Sequence, residues 1–162
     1  MNWKWSKFEN LSAEELYDII ALRERVFVVE QKCAYQDADG YDKDAWHLCG
    51  WSDDKKTALL AYIRVLPSSS RYAEPSIGRV ATAPEARGKG LGRQAMVESL
   101  KRIQQELGDI SVRISAQAYL EKFYSNLGFT KVGESYLEDG IEHIEMFLDH
   151  STKKVRTLEI GG

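Results

Sequence analysis

A short glycine-rich segment, residues 87–93, has the residue types and spacing of an anion-binding turn. Glycines at every second position let successive backbone N–H groups turn toward one point, and a helix that begins here adds unpaired N–H groups and a positive dipole end. Three basic side chains add formal charge. This combination is typical of a phosphate-binding loop. The segment, called the glycine loop below, consists of Arg87, Gly88, Lys89, Gly90, Leu91, Gly92 and Arg93.

The spacing of these glycines excludes two common phosphate-binding loops. It does not match G-x-x-x-x-G-K-[ST], so an ordinary nucleoside-triphosphate loop is rejected, and the four residues between the preceding strand and Arg87 fit a dinucleotide-binding turn poorly. The pattern that remains is R-x-x-G-x-G, formed by Arg87, Gly90 and Gly92 between a strand and a helix.

That pattern, in its strand–loop–helix context, resembles the pyrophosphate-binding motif of the GCN5-related N-acetyltransferases (GNAT), which bind acetyl-CoA. Residues 123–129 are similar to the fourth-helix signature of this superfamily, in which a tyrosine lies near the cofactor sulfur. Other segments are similar to its ElaA-like branch, so the resemblance covers nearly the whole chain. These segments are residues 22–23, 26–31, 35–37, 39–40, 77–80, 139–141 and 143–144.

The resemblance implies an acetyl-CoA-dependent N-acetyltransferase that transfers the acetyl group directly to a primary amine of a small molecule or peptide. It implies that the backbone of Val80, Ala81 and Thr82 pairs with the pantetheine arm, and that the N–H groups of the glycine loop receive the pyrophosphate. Two alternatives stay open: a non-catalytic acyl-CoA sensor, and an acyltransferase that uses a longer acyl donor.

Direct transfer needs a group that deprotonates the ammonium and a group that protonates the leaving thiolate. Tyr124, at the position of the family's tyrosine, is expected to be the general acid, while Phe123 anchors the helix. Two residues are candidates for the base. Glu30 follows the apolar run 26–29, which could raise its pKa, and His143 is on the strand face opposite Ile144 and has a suitable reference pKa. A water relay, or no dedicated base, remains an alternative.

Arg64 and Arg79 are on strands predicted to be neighbours, where two guanidinium groups would suit a substrate carboxylate. The alternative is ion pairing with Glu30 or Asp37. The acidic stretch 37–42 departs from a calcium loop because it has no glycine at the sixth position and no glutamate at the twelfth, so no metal site is predicted.

Composition sets the class of protein. The chain has 162 residues, 43% of them hydrophobic, which is enough for one domain with a core. Its net charge of −3 disfavours nucleic acid or anionic lipid as a partner. No signal-peptide core or membrane-spanning run is present, so we expect a cytoplasmic protein in which Cys33 and Cys49 are reduced core or near-core residues. Whether it is a monomer or a homodimer stays open.

Local charge is divided into two opposed segments. Residues 78–102 contain six basic and two acidic side chains, whereas residues 30–54 contain seven acidic and two basic ones. We hypothesise that the basic segment receives the phosphates and that the acidic segment attracts a cationic amine.

Periodicity predicts the elements that position these groups. A capping box at Ser12 and Glu15 predicts a helix over 12–26, and an apolar stripe that ends at Gly108 predicts the longest helix, from Leu91 to Leu107. A short helix is predicted over 119–127, and strands over 46–51, 57–66, 76–82, 110–116, 129–137 and 142–148.

The order of these elements predicts an α+β fold of GNAT type. We expect a mixed, mostly antiparallel sheet of about six to seven strands flanked by helices, with the glycine loop between a central strand and the longest helix. Residues 1–149 would form one N-acetyltransferase domain, and residues 150–162 a tail or an edge strand.

Overall fold

A mixed seven-stranded sheet forms the centre of the fold. The computed structural model describes residues 1–54 and 58–150. The strands are β1 (Asn2–Lys7), β2 (Trp46–Trp51), β3 (Leu59–Leu66), β4 (Ser76–Thr82), β5 (Val112–Gln117), β6 (Thr130–Glu138) and β7 (Ile141–Leu148). The helices are α1 (Ala13–Arg23), which continues into a π-helical segment (Glu24–Glu30), α2 (Leu91–Leu107) and α3 (Glu121–Ser125).

The sheet has the strand order β1-β2-β3-β4-β5-β7-β6. Neighbouring strands pair antiparallel except β4 and β5, which are parallel. A parallel pair needs a crossover connection, and α2 supplies it. The predicted fold class is therefore confirmed, and the glycine loop joins the central strand β4 to the longest helix.

The core lies in two layers, one on each face of the sheet. Adjacent residues of a strand point to opposite faces, so Leu48 and Cys49 of β2 belong to different hydrophobic clusters. The first cluster contains the buried side of α2, including Met96, and Tyr124 of α3. The second contains Ile19 of α1. Helices consequently cover both faces.

The first helix begins as predicted and ends differently. Glu15 N donates to Ser12 Oγ at 3.0 Å and Ser12 N donates to Glu15 Oε2 at 2.9 Å, which completes the capping box. The α-helix ends at Arg23, and the π-helical segment extends the helical chain to Glu30, past the predicted end at residue 26. Apolar spacing does not distinguish these two helix types over so short a run.

Strand β1 was not predicted from the sequence. It pairs with β2 at the sheet edge, where the ring of Trp5 stacks on Trp46 with centroids 6.0 Å apart. Other boundaries differ from prediction by a few residues. Two segments lie outside the described residues: the part of the predicted tail from residue 151 onward, and residues 55–57, which include the first residue of the strand predicted over 57–66. Within the described parts, no helix combines the length and apolar character needed to cross a membrane.

Candidate active site

A cleft of about 660 Å³ opens where the two parallel strands separate. In the described residues, β4 and β5 pair at Ser76 with Arg113 and at Ile77 with Ile114, and the rest of β4 is paired only with β3. The second edge of β4, from Gly78 to Thr82, therefore leaves backbone groups facing the gap. This edge is one wall of the cleft, whose lining includes Val80 and Thr82.

A β-bulge at Arg79 starts the separation. Arg64 pairs with Gly78 but Tyr62 pairs with Ala81, so β4 contains one residue more than β3 between these pairs. Arg79 has a φ of +51°, in the left-handed region that costs a non-glycine residue about 1–3 kcal/mol. This backbone conformation must therefore be stabilised by contacts of the Arg79 side chain.

A closed ring of alternating charges holds it. Three arginines each pair with two aspartates, and each aspartate pairs with two arginines, at N–O distances from 2.6 to 3.1 Å. Two of the arginine side chains are nearly inaccessible, with exposures of 0% and 3%, and the third is 19% exposed. In order around what we call the charge ring, the residues are Arg23, Asp42, Arg64, Asp39, Arg79 and Asp37.

The charge ring determines the surroundings of both arginines that the sequence suggested for substrate binding. Arg64, on the strand next to that of Arg79, pairs with Asp39 and Asp42. Arg79 pairs with Asp37, the partner named in the alternative interpretation. Both side chains also line the cleft. Their contact with substrate stays a prediction.

Titration of the ring follows from its charges. Burial alone would raise the pKa of Asp39, but the hydrogen bonds and charge of Arg64, together with Arg79, outweigh burial and lower the pKa to about 2. Burial opposes a similar lowering of the Asp42 pKa by Arg23 and Arg64. All three aspartates of the ring come from the acidic segment 30–54, so much of the negative charge expected to attract an amine is neutralised internally.

A buried histidine, His47, contacts the backbone of the charge ring at Asp42. His47 Nε2 lies 2.8 Å from the carbonyl oxygen of Asp42, and Nδ1 lies 2.7 Å from Tyr62 Oη. A carbonyl can only accept, so Nε2 carries the proton and Nδ1 accepts from the tyrosine. Burial lowers the pKa of His47 and keeps its imidazole neutral.

The glycine loop has the backbone that its sequence predicted. Gly88 and Gly90 have φ values of +82° and +75°, and Gly90 is the N-cap of α2. A Cβ at either glycine would have no neighbour within 4 Å, so the space above the loop is open. The Leu91 side chain is buried in the core and fixes the start of the helix, while Lys89 and Arg93 are exposed. The loop presents N–H donors and positive charge to solvent beside the cleft.

The predicted acid and the two predicted bases all line the same cleft. Tyr124 on α3 is buried, its ring meets Phe123 and Phe129 edge-on, and burial raises its pKa. Within the described parts of the chain its hydroxyl has no hydrogen-bond partner. Such a phenol stays protonated at neutral pH and is free to donate.

Glu30 differs from expectation in its surroundings. Instead of the apolar environment expected from the preceding residues, its carboxylate is 41% exposed and pairs with Arg87 Nη1 of the glycine loop at 2.8 Å. The π-helical segment positions it there. The contact ties Glu30 to the predicted phosphate site.

His143 faces the cleft from β7. Its Nδ1 lies 2.7 Å from the carbonyl oxygen of Ile141, so Nδ1 carries the proton and Nε2 of the neutral ring has a free lone pair. The ring stacks beside Tyr136 of β6, with centroids 6.1 Å apart. His143 is therefore oriented as a base would need to be.

Sequence reasoning missed a polar group around His143. Glu138 Oε2 lies 3.6 Å from His143 Nε2, Ser115 Oγ contacts both Glu138 and Tyr136, and Arg71 pairs with Glu138. The sequence placed Glu138 only in the connection between the strands predicted over 129–137 and 142–148. The available signal was a carboxylate, Glu138, at the end of the strand that precedes the strand of His143.

The cysteines differ in environment. Cys49 is buried, as expected, whereas Cys33 is partly exposed and lines the cleft, where its Sγ lies 3.5 Å from the carbonyl oxygen of Asp139. Trp46 and Trp51, the first and last residues of β2, are not part of the cleft lining.

Comparisons with known proteins agree with this geometry. The family described as acetyltransferase (GNAT) domain matches residues 12–150. A UPF0039 protein of Synechocystis sp. is 47% identical over 146 residues, which are 90% of this chain and 94% of that protein. The crystal structure of an acyl-CoA N-acyltransferase from Pseudomonas aeruginosa is 43% identical, with a TM-score of 0.85 and coverage of 91% of this chain and 99% of that chain. The crystal structure of Escherichia coli ElaA is 40% identical, with a TM-score of 0.83 and the same coverage.

Proposed function

Since this chain belongs to the acetyltransferase (GNAT) family and is an ElaA-like acyltransferase, we propose that it moves an acetyl group from acetyl-CoA to a primary amine. The observation that carries the proposal is the cleft. It combines the free edge of β4, the start of the glycine loop and two groups suited to proton transfer, Tyr124 and His143. Residues 1–149 are proposed as the catalytic domain.

Donor binding would use the backbone of β4 and of the glycine loop. The proposed contact for the two amides of pantetheine is the free edge of β4 at Val80, Ala81 and Thr82, where the donor would add like a strand and replace the 3.3 Å hydrogen bond from Arg87 Nε to the Thr82 carbonyl. The open space above Gly88 and Gly90 has room for a pyrophosphate, and the α2 dipole favours its charge. The proposed donor-binding residues are Val80, Ala81, Thr82, Arg87, Gly88, Lys89, Gly90, Leu91, Gly92 and Arg93.

The chemistry is a direct displacement. The base removes one proton from the acceptor ammonium, and the neutral nitrogen forms a C–N bond with the thioester carbonyl carbon. The C–S bond breaks, and the nitrogen releases its second proton to solvent. Tyr124 gives its phenolic proton to the leaving thiolate and is reprotonated from solvent. The net products are an acetamide, free CoA and one proton. The raised pKa of Tyr124 supports this role, because the phenol is neutral until the thiolate forms.

His143 is the better of the two base candidates. The Glu30 carboxylate pairs with Arg87 of the proposed phosphate site, so its charge serves the donor end of the cleft. His143 Nε2 has a free lone pair in the neutral tautomer. We therefore propose His143 as the base and Glu30 as a residue that orients Arg87.

Arg79 is the proposed contact for an acceptor that also carries a carboxylate. Its side chain keeps 19% exposure at the cleft wall, whereas Arg64 is 3% exposed and would act from behind it through Asp39. The two arginines would then form one unit in which only Arg79 touches the acceptor.

The test is thiol release from acetyl-CoA with a panel of amines, measured for the native protein and for Tyr124→Phe. We expect the substitution to lower kcat by roughly 10²–10⁴-fold while acetyl-CoA affinity by calorimetry is retained. Tyr17→Phe, at an exposed position on α1, is the matched control.

Two other outcomes would support the alternatives. A native protein that binds acetyl-CoA but consumes it with no amine would be a sensor. A protein that binds and uses a longer acyl-CoA in preference to acetyl-CoA would be an acyltransferase with a different donor.

A further inference from the structure

Glu138 is the last residue of β6 and lies in the wall of the cleft. The proposed mechanism gives it no role. Its Oε2 lies 3.6 Å from His143 Nε2 and 3.5 Å from Ser115 Oγ, and its Oε1 lies 3.2 Å from Arg71 Nη2. The carboxylate is 39% exposed and lines the cleft. It is therefore accessible to a substrate beside the proposed base.

When His143 is neutral, no hydrogen lies between its Nε2 and the Glu138 carboxylate. With Nδ1 of His143 donating to the Ile141 carbonyl, Nε2 of the neutral ring can only accept, and so can a carboxylate. The 3.6 Å between the two atoms is also longer than a hydrogen bond. A group with two N–H donors would satisfy both acceptors at once, and a primary ammonium has three.

Arg71 shows that a cation fits beside this carboxylate. It belongs to the loop between β3 and β4, is 36% exposed, and reaches Glu138 across the cleft at 3.2 Å. An exposed ion pair of this kind contributes little to stability, so another cation can displace Arg71. The charge-ring arginines differ, since each bridges two aspartates.

We propose that Glu138 is the ammonium-binding residue of the acceptor site, and that Arg71 occupies its position until an amine arrives. The inference rests on the proposed acetyltransferase function and specifies its substrate class. Acceptors are alkyl primary amines, which are cationic at neutral pH, and not arylamines, which are uncharged. Glu138 holds the ammonium next to His143 Nε2, and Nε2 takes one proton before the nitrogen attacks.

Two substitutions with opposite expected effects test the proposal, with n-butylamine as the probe acceptor at saturating acetyl-CoA. Glu138→Gln removes a charged hydrogen-bond partner and should raise KM by roughly 10- to 100-fold. Arg71→Gln removes the competing cation and should lower KM by about two- to five-fold. Glu142→Gln, an exposed position on the same hairpin, is the control and should leave KM unchanged.

An unchanged KM in Glu138→Gln, or a raised KM in Arg71→Gln, would overturn the proposal. Unchanged CoA affinity by calorimetry identifies a folded variant, and Arg71→Gln decides the matter if Glu138→Gln does not fold. Aniline accepted as readily as n-butylamine would also overturn it.

Failure of the proposed function is distinguished by an equilibrium measurement. If no amine is acetylated, calorimetric titration of n-butylamine into the protein saturated with CoA still tests the site, with n-butanol as the uncharged reference. Binding of n-butylamine that Glu138→Gln abolishes would support the ammonium site while refuting the acetyltransferase. Absence of any preference over n-butanol would refute the site.

Discussion

Removing one charge from the charge ring should destabilise the protein strongly. Asp42 pairs with Arg23 Nη1 at 2.6 Å and with Arg64 Nη1 at 3.0 Å, and these arginine side chains are 0% and 3% exposed. Asp42→Asn keeps the shape of the side chain but leaves one uncompensated positive charge on two arginine side chains that are almost completely buried. The expected loss in the free energy of unfolding is about 3 kcal/mol, at the lower end of the range for breaking a buried pair. For a chain of this size the midpoint of thermal unfolding should fall by about 6–12 °C.

Asp44→Asn is a matched control for this measurement. Asp44 is on the same short turn as Asp42 and is exposed, so its replacement should change stability by less than about 0.5 kcal/mol. Urea denaturation at pH 7 measures both variants. If Asp42→Asn lost no more than Asp44→Asn, the ring would not be a buried charge network.

A double-mutant cycle sharpens the test. Arg64→Met alone leaves excess negative charge, but combined with Asp42→Asn it restores neutrality among the four remaining charges of the ring. The double variant should therefore be more stable than the sum of the two losses predicts, by about 1–3 kcal/mol. Strict additivity would refute the reasoning.

Three further predictions concern pH, the glycine loop and Cys33. His47 has a lowered pKa and Asp39 a pKa of about 2, so below their ordinary pKa values the unfolded chain binds more protons than the native protein. The free energy of unfolding, measured with urea, should therefore fall as pH decreases below about 6.5, because of His47, and fall again from about pH 4 toward 2, because of Asp39. A flat profile between pH 7 and 4 would contradict this. Gly90→Ala should lower the free energy of unfolding by about 1–2 kcal/mol, because Gly90 has a φ of +75°, and should weaken acetyl-CoA binding. In Gly92→Ala the new Cβ would meet Thr82 Oγ1 at an ordinary 3.6 Å, so urea denaturation should show a neutral or stabilising effect. Cys33→Ser should retain thiol release with an active amine, since the proposed transfer is direct; loss of turnover with acetyl-CoA binding preserved would indicate a covalent intermediate on Cys33.

Local sequence signals predicted the elements that depend on neighbouring residues. The capping box at Ser12 and the apolar stripe of α2 specify helix starts and faces within a few turns of chain, and both were confirmed. Strand β1 was missed because an edge strand gains its stability from pairing with β2, which lies about 40–50 residues away in the sequence.

Relationships between distant side chains were beyond local signals. Arg64 and Arg79 were identified as neighbours on adjacent strands, but the pairing that includes Arg23 and Asp42 depends on how α1 and the segment before β2 pack against the sheet. The same limitation applies to Glu30, where the π-helical segment turns the carboxylate toward Arg87.

The sequence by itself determined the glycine loop, the α+β order of elements and the family resemblance, because these depend on backbone conformations and periodicities encoded within short segments. Only the tertiary structure decided which charges are neutralised and which face the cleft. Charges act through space, and the free energy of an ion pair depends on its distance and burial. For that reason Glu138, which looks like part of an ordinary turn in the sequence, lies beside His143 in the fold.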